Sequence, residues 1–147
     1  MRIPGLAVKT ITFCLALALP SAVALAEPLE DYRWKSRLLV VFAPTVVDDS
    51  YEQQMQQLLR NSVDVSDRDL LPVEVIGVEP VRVDALSEPA LDPVALRERF
   101  DAPQDGFKAV LVGKDGAAKL SSDTPIPADK LFEAIDAMPM RQQELGG

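Results

Sequence analysis

Acids, amines and hydroxyls are the chemistry this chain offers. It has 147 residues, no histidine and one cysteine, Cys14. Thiolate nucleophiles draw on Cys, and zinc and copper sites on Cys or His. Cys14 itself falls in a segment expected to be cut off. Arg2 and Lys9 give a positive start, residues 11–19 an apolar stretch that Pro20 breaks, and Ala24-Leu25-Ala26 a small-x-small pattern before a cut between Ala26 and Glu27. The apolar stretch is shorter than the ~20 residues of a membrane span. Cys14 follows the bulky Phe13 in mid-stretch, which is not a lipoprotein cleavage position. The reading is a signal peptide at 1–26 and one domain at 27–147, free of thiol and imidazole.

Thr45 is the hydroxyl that follows the first apolar run, with no imidazole to activate it. A lysine base would serve, but a turn hydroxyl bonded to nearby backbone is the simpler role. Asp48 with Asp49, or Glu88 with Asp92, offers oxygens for calcium without the spacing of a calcium loop. The first pair and Asp92 suit helix caps instead, and Asp101 with Asp105 suits a solvated loop. No catalytic residue, metal ligand or cofactor is assigned. Five residues are candidate contacts. Trp34 beside Lys35 and Arg37 either lines a groove or covers the sheet end. Lys114 sits in the Gly113-Lys114-Asp115-Gly116 turn. Met140 and Arg141 lie past Pro139, where no periodicity requires them; methionine suits adaptable surfaces and arginine suits interfaces. After cleavage the domain has 13 bases against 23 acids. That field repels phosphates and anionic headgroups. Nucleic acid is excluded as a partner, and another envelope protein or a small ligand is expected.

The elements that position these residues follow from pattern. Residues 38–42 are a continuous apolar run, the mark of a strand covered on both faces. Asp48, Asp49 and Ser50 are caps for an amphipathic helix in which Tyr51, Met55, Leu58 and Leu59 recur at helical spacing, with glutamines on a solvated face. Residues 70–76 form a second strand, and Pro72 places it at an edge or near a strand start. Residues 77–90 read as an irregular insertion with room for a short extra strand. Asp92 caps a helix with Pro93 at its first position and Leu91 stapling onto Leu96. A third strand at 107–112, an Asp115-Gly116 turn and a fourth at 117–121 make a hairpin. A final helix from Pro127 aligns Leu131, Phe132, Ile135 and Met138 until Pro139 stops it, leaving a tail. Strand-helix-strand forces a parallel pair with a right-handed crossover. The fold expected is α/β and thioredoxin-like: a mixed four-stranded sheet in the order 2-1-3-4 with helices on both faces.

Several pieces carry a resemblance. Trp34-Lys35-x-Arg37-Leu38-Leu39 leads into Phe42-Ala43-Pro44; Leu96-Arg97-x-Arg99-Phe100, Asp105-Gly106-Phe107, Leu111-Val112-Gly113-Lys114-Asp115-Gly116 and Ile135-Asp136-Ala137-Met138-Pro139-Met140-Arg141 follow. Over roughly residues 28–144 the chain resembles an uncharacterised bacterial domain family of exported proteins. The same domain type recurs in animal extracellular-matrix proteins, including sushi-repeat ones. The resemblance implies a thioredoxin- or peroxiredoxin-like fold, a periplasmic or secreted location and no established activity. Residues 78–89 are longer and richer in proline than that pattern. In redox members of the fold a cysteine follows the first strand at a helix N-terminus. Residues 43–49 occupy that place without sulfur, and Phe107 stands where such enzymes carry a cis-proline. The reading is a non-redox binding or interaction module. The alternative is an enzyme, a hydrolase or isomerase, with carboxylate, lysine or tyrosine chemistry in a cleft at the end of strand one.

Overall fold

The computed structural model describes residues 28–147; the expected signal peptide, 1–26, and the expected cleavage pair, Ala26 and Glu27, lie outside the described residues. A 3₁₀ turn at Glu30–Tyr32 leads into β1 (Arg37–Ala43). Next come α1 (Asp49–Arg60), α2 (Ser62–Asp67) and β2 (Leu70–Ile76), then two short strands, β3 (Arg82–Val83) and β4 (Leu86–Ser87). After α3 (Pro93–Phe100), the strands β5 (Lys108–Val112) and β6 (Ala118–Ser122) precede α4 (Ala128–Asp136) and α5 (Pro139–Gly146). The sheet order is β4-β3-β2-β1-β5-β6.

β1 is the spine. It runs parallel to β2 and antiparallel to β5, and all of its residues are buried. Successive side chains of a strand face opposite ways. Leu39, Val41 and Ala43 accordingly enter one cluster with Leu58, Val65, Leu131 and Ile135 of α1, α2 and α4. Leu38, Val40 and Phe42 enter another with Val73, Val75 and Leu96. Helices thus cover both faces, as the unbroken apolar run of 38–42 requires.

The expected four strands have the expected order, but the sheet has six. Asp84 (φ 49°) and Ala85 (φ 66°) both adopt left-handed backbone. That is the type I′ arrangement of a two-residue hairpin, and it folds β4 back onto β3. Neither residue is glycine, so the turn carried no sequence mark. β2 is consequently an interior strand, not an edge. Pro72 is tolerated because its carbonyl faces the β3 side, where it accepts from Asp84 N (2.9 Å). Its missing N–H points the same way, beyond the Val73–Val83 and Glu74–Arg82 pairs of the ladder. The cost of a strand proline is therefore avoided.

Two further corrections concern helices. The stretch after Pro139 is α5 and not a loose tail: Pro139 is its first residue, a position that needs no N–H. The glutamine face of α1 is not wholly solvated. Gln54 is fully buried and clasps Ile126, accepting from its N–H (2.7 Å) and donating to its carbonyl (3.2 Å). Gln57 accepts from Ala128 N (2.7 Å). These bonds seat α4 on α1. Asp48 caps α1 by accepting from Tyr51 N (3.0 Å), and Asp92 caps α3 by accepting from Val94 N (2.9 Å).

Candidate functional site

Charged side chains gather at both ends of β1. At its C-terminal end, Ala43, Pro44 and an exposed Thr45 lead into α1; the Thr45 carbonyl accepts from Asp48 N (3.3 Å). The first turn of α1 turns Tyr51 onto the sheet, where its hydroxyl donates to Glu74 of β2. Arg82 of β3 donates to Glu74 (2.8 Å) and to the Tyr51 oxygen (3.3 Å). Glu74 is 5 % exposed, so its charge needs both partners. Burial, and then the bond to Glu74, push the Tyr51 hydroxyl up to about 12. It is held as a donor to Glu74.

The N-terminal end of β1 carries a larger network. Arg37, the first residue of the strand, is completely buried. Its Nη1 donates to the Arg68 carbonyl (2.8 Å) and to Glu144 Oε2 (3.2 Å), and its Nη2 to Glu144 Oε1 (3.1 Å). Lys114, in the β5–β6 turn, reaches Glu144 Oε1 and Asp69 Oδ2, both at 2.7 Å. Arg141 of α5 holds the Asp67 side chain (2.5 Å), Asp136 (3.3 Å) and Glu144 (3.5 Å). Arg68 makes a two-pronged bond to Asp136 (3.0 and 2.8 Å) while lying over the Phe132 ring. Burial by itself would raise the Glu144 carboxyl, but the bonds from Lys114 and Arg37 outweigh it and hold it at about 2. Asp136 is lowered chiefly by Arg68.

Of the five expected contact residues, the fold brings Trp34, Arg37, Lys114 and Arg141 to this one end, with Met140 beside Arg141 on α5. Trp34 N donates to the Lys114 carbonyl (2.6 Å), and its indole is 60 % exposed with the Arg33 guanidinium 5.1 Å above it. Arg37 lines no open groove; it faces inward on Glu144. Arg141 is likewise buried, and Met140 is half-buried. Sequence reasoning missed Glu144, Asp67, Asp69, Asp136 and Arg68, and the Tyr51–Glu74–Arg82 group as well. One signal was present: an acid at position 74 inside an apolar strand is almost never buried without a partner. The roomier grooves lie elsewhere. One of about 470 Å³ runs between the Glu30–Tyr32 turn and the start of α3. Another of about 290 Å³ lies between α1, α2 and β2.

Residues 28–144 match the family described as "Domain of unknown function (DUF4174)". The chain is 29 % identical over 136 residues to the Sushi repeat-containing protein SRPX of Homo sapiens, covering 90 % of this chain and 29 % of that protein. It is 25 % identical over 135 residues to Coiled-coil domain-containing protein 80 of Danio rerio, covering 80 % of this chain and 15 % of that one. The chain thus spans less than a third of either relative. A solved structure, the reduced 2-Cys peroxiredoxin of Plasmodium vivax, superposes with a TM-score of 0.55 at 10 % identity, over 77 % of this chain and 83 % of that one. That likeness establishes the thioredoxin-like fold alone.

Proposed function

The chain belongs to the DUF4174 family, and on that premise we propose that it is a non-redox interaction module working outside the cytoplasm. It offers the sheet end that bears Trp34 and Lys114 to another protein. One observation carries this reading. At the end of β1, where redox members of the fold keep their cysteine, the chain has Ala43-Pro44-Thr45, and the hydroxyl that turns onto the sheet, Tyr51, is fixed to Glu74. The frame of a reactive site is present with its reactive group replaced. Two further observations support it. The domain matches a minor part of much longer relatives, the pattern of a module. The exposed Trp34 indole stands on a backbone position tied to the Lys114 carbonyl, with the Arg33 guanidinium over its ring.

The test places a photoreactive residue at position 34 and, as a control, at the exposed Val47 on the opposite end of β1. A partner crosslinked from 34 and not from 47 is the expected result. Equal yields at both overturn the reading. Mass spectrometry of the mature N-terminus tests the cut between Ala26 and Glu27; retention of Cys14 would reopen thiol chemistry. The second reading, an enzyme with tyrosine and carboxylate chemistry, is favoured by the buried Tyr51–Glu74 pair and its half-exposed partner Arg82. It requires a Tyr51 that ionises near neutrality, which an ultraviolet titration reads directly.

A further inference from the structure

The grip on Glu144 is that of a carboxylate receptor. Both oxygens take one prong each from Arg37, and Oε1 takes a second bond from Lys114. A bidentate arginine with an added cation is among the strongest arrangements for a carboxylate. The receptor side is built on elements fixed by the sheet: Arg37 on β1, the Arg68 carbonyl and Asp69 at the α2–β2 corner, and Lys114 on the β5–β6 turn. The occupant side is not fixed in that way. The buried residue of α5 is Arg141, a charged one, and Leu145 is 59 % exposed. Ion pairs therefore hold α5 in place more than apolar burial does, and their outer partner, Glu144, is the one that salt and water reach. The anchor just before α5 is different in kind: Met138 is buried in the core and stays behind as the pivot. With α5 lifted away, Arg37 and Lys114 would face a single acid, Asp69. That is a pair of cations in contact with one acid, beside Asp67 and Asp136, which lose Arg141 as α5 leaves.

We infer that the Arg37–Lys114 cradle is a binding site for a peptide carboxylate, filled in cis by Glu144 and open to an acidic segment of another chain when α5 lifts. This rests on the interaction-module reading and gives it a ligand class. Tethering through Ala137 and Met138 gives the internal ligand an effective concentration on the order of millimolar. An outside peptide competes poorly with it until the internal carboxylate is lost.

The test uses the full chain carrying Glu144→Gln and two synthetic peptides of residues 139–147, one native and one with the same substitution. Trp34, the one tryptophan, reports binding through its bond to the Lys114 carbonyl. The variant is expected to bind the native peptide about tenfold or more tighter than the substituted one. The unaltered chain should bind neither measurably, and salt near ~0.5 M should narrow the difference. A folded variant that binds both peptides alike, or neither, overturns the inference. Hydrogen exchange on the unaltered chain gives a second arm that does not depend on the variant. The α5 amides should exchange at least about a hundredfold faster than those of β1, and faster again with salt; exchange of α5 in step with β1 overturns it. Sedimentation separates the sources: a concentration-dependent dimer assigns the ligand to α5 of a second copy, and a monomer that still binds peptide assigns it to a different protein. Failure of these arms with the position-34 crosslink intact removes the cradle and leaves the module.

Discussion

Two buried arginines show how differently one residue type can be used. Arg37 gives its guanidinium to Glu144 and the Arg68 carbonyl. Arg97 of α3 is buried against the other face. Among the described residues the Nε of each is buried without a partner, but Arg97 reaches only the Val75 carbonyl, at 3.4 Å, and burial lowers its pKa. Removing a charge that is paid for differs from removing one that is not. Arg37→Met should lower stability by about 2–3 kcal/mol, since it takes the donor from the Arg68 carbonyl and leaves Glu144 to Lys114 and Arg141. Arg97→Met keeps the aliphatic stem and drops a poorly paired charge, so it should raise stability by about 1 kcal/mol. Urea unfolding of the two variants measures both, and opposite signs are the expected outcome. Tyr51 sets a third residue-scale expectation. With a folded pKa raised from 10.0 to about 12, its proton-linked stability is complete below 10.0 and lost as pH rises through about 12. Tyr51→Phe should remove the highest step of the ultraviolet titration and cost about 1–2 kcal/mol by leaving Glu74 to Arg82 alone.

Elements with a chemical boundary mark were legible in the sequence. The apolar run of β1, the Asp92-Pro93 start of α3 and the Asp115-Gly116 turn each carry their own local cause. In the turn, Gly116 takes φ +82° and Asp115 accepts from Ala117 N (3.0 Å). The β3–β4 hairpin was not legible, because tertiary pairing with β2 holds Asp84 and Ala85 in a conformation that their types disfavour. Ala85→Gly should relieve part of that strain and raise stability by about 0.5–1 kcal/mol, whereas a loop of ordinary backbone would be weakened by glycine. Thermal unfolding of that variant beside Asp92→Ala, expected to lose about 1 kcal/mol, checks that each element has the boundary assigned to it. The contact residues were half legible. Their types and neighbours marked Trp34, Arg37, Lys114 and Arg141, but not the acid that unites three of them. Glu144 is 107 residues from Arg37, and no spacing rule links them; a helix beginning at a proline that also ends the previous one brings them together.

At the scale of the whole molecule, acid tests whether α5 is fastened as its contacts indicate. Glu144 faces Arg37 from β1, Lys114 from the β5–β6 turn and Arg141 from its own helix, while Asp69 shares Lys114. Its carboxyl is lowered from 4.5 to about 2. A lowered carboxylate contributes stability that is complete above its unfolded value and lost as pH falls through its folded one. The Glu144 share is therefore expected to vanish between 4.5 and about 2. Asp136 and Asp115, also lowered, add to the slope in the same direction. The loss should not be uniform in space. Protonating Glu144 uncouples α5 from Arg37 and Lys114, and protonating Asp136 of α4 loosens its hold on Arg141 of α5, whereas the apolar clusters on either side of β1 do not titrate. Acid should thus release α5 before the sheet unfolds. Following Trp34 fluorescence together with far-ultraviolet circular dichroism through that range should give two separated transitions, and Glu144→Gln should flatten the first while leaving the second in place. A single coincident transition in both chains would mean that α5 is part of the core, held by packing rather than by charge.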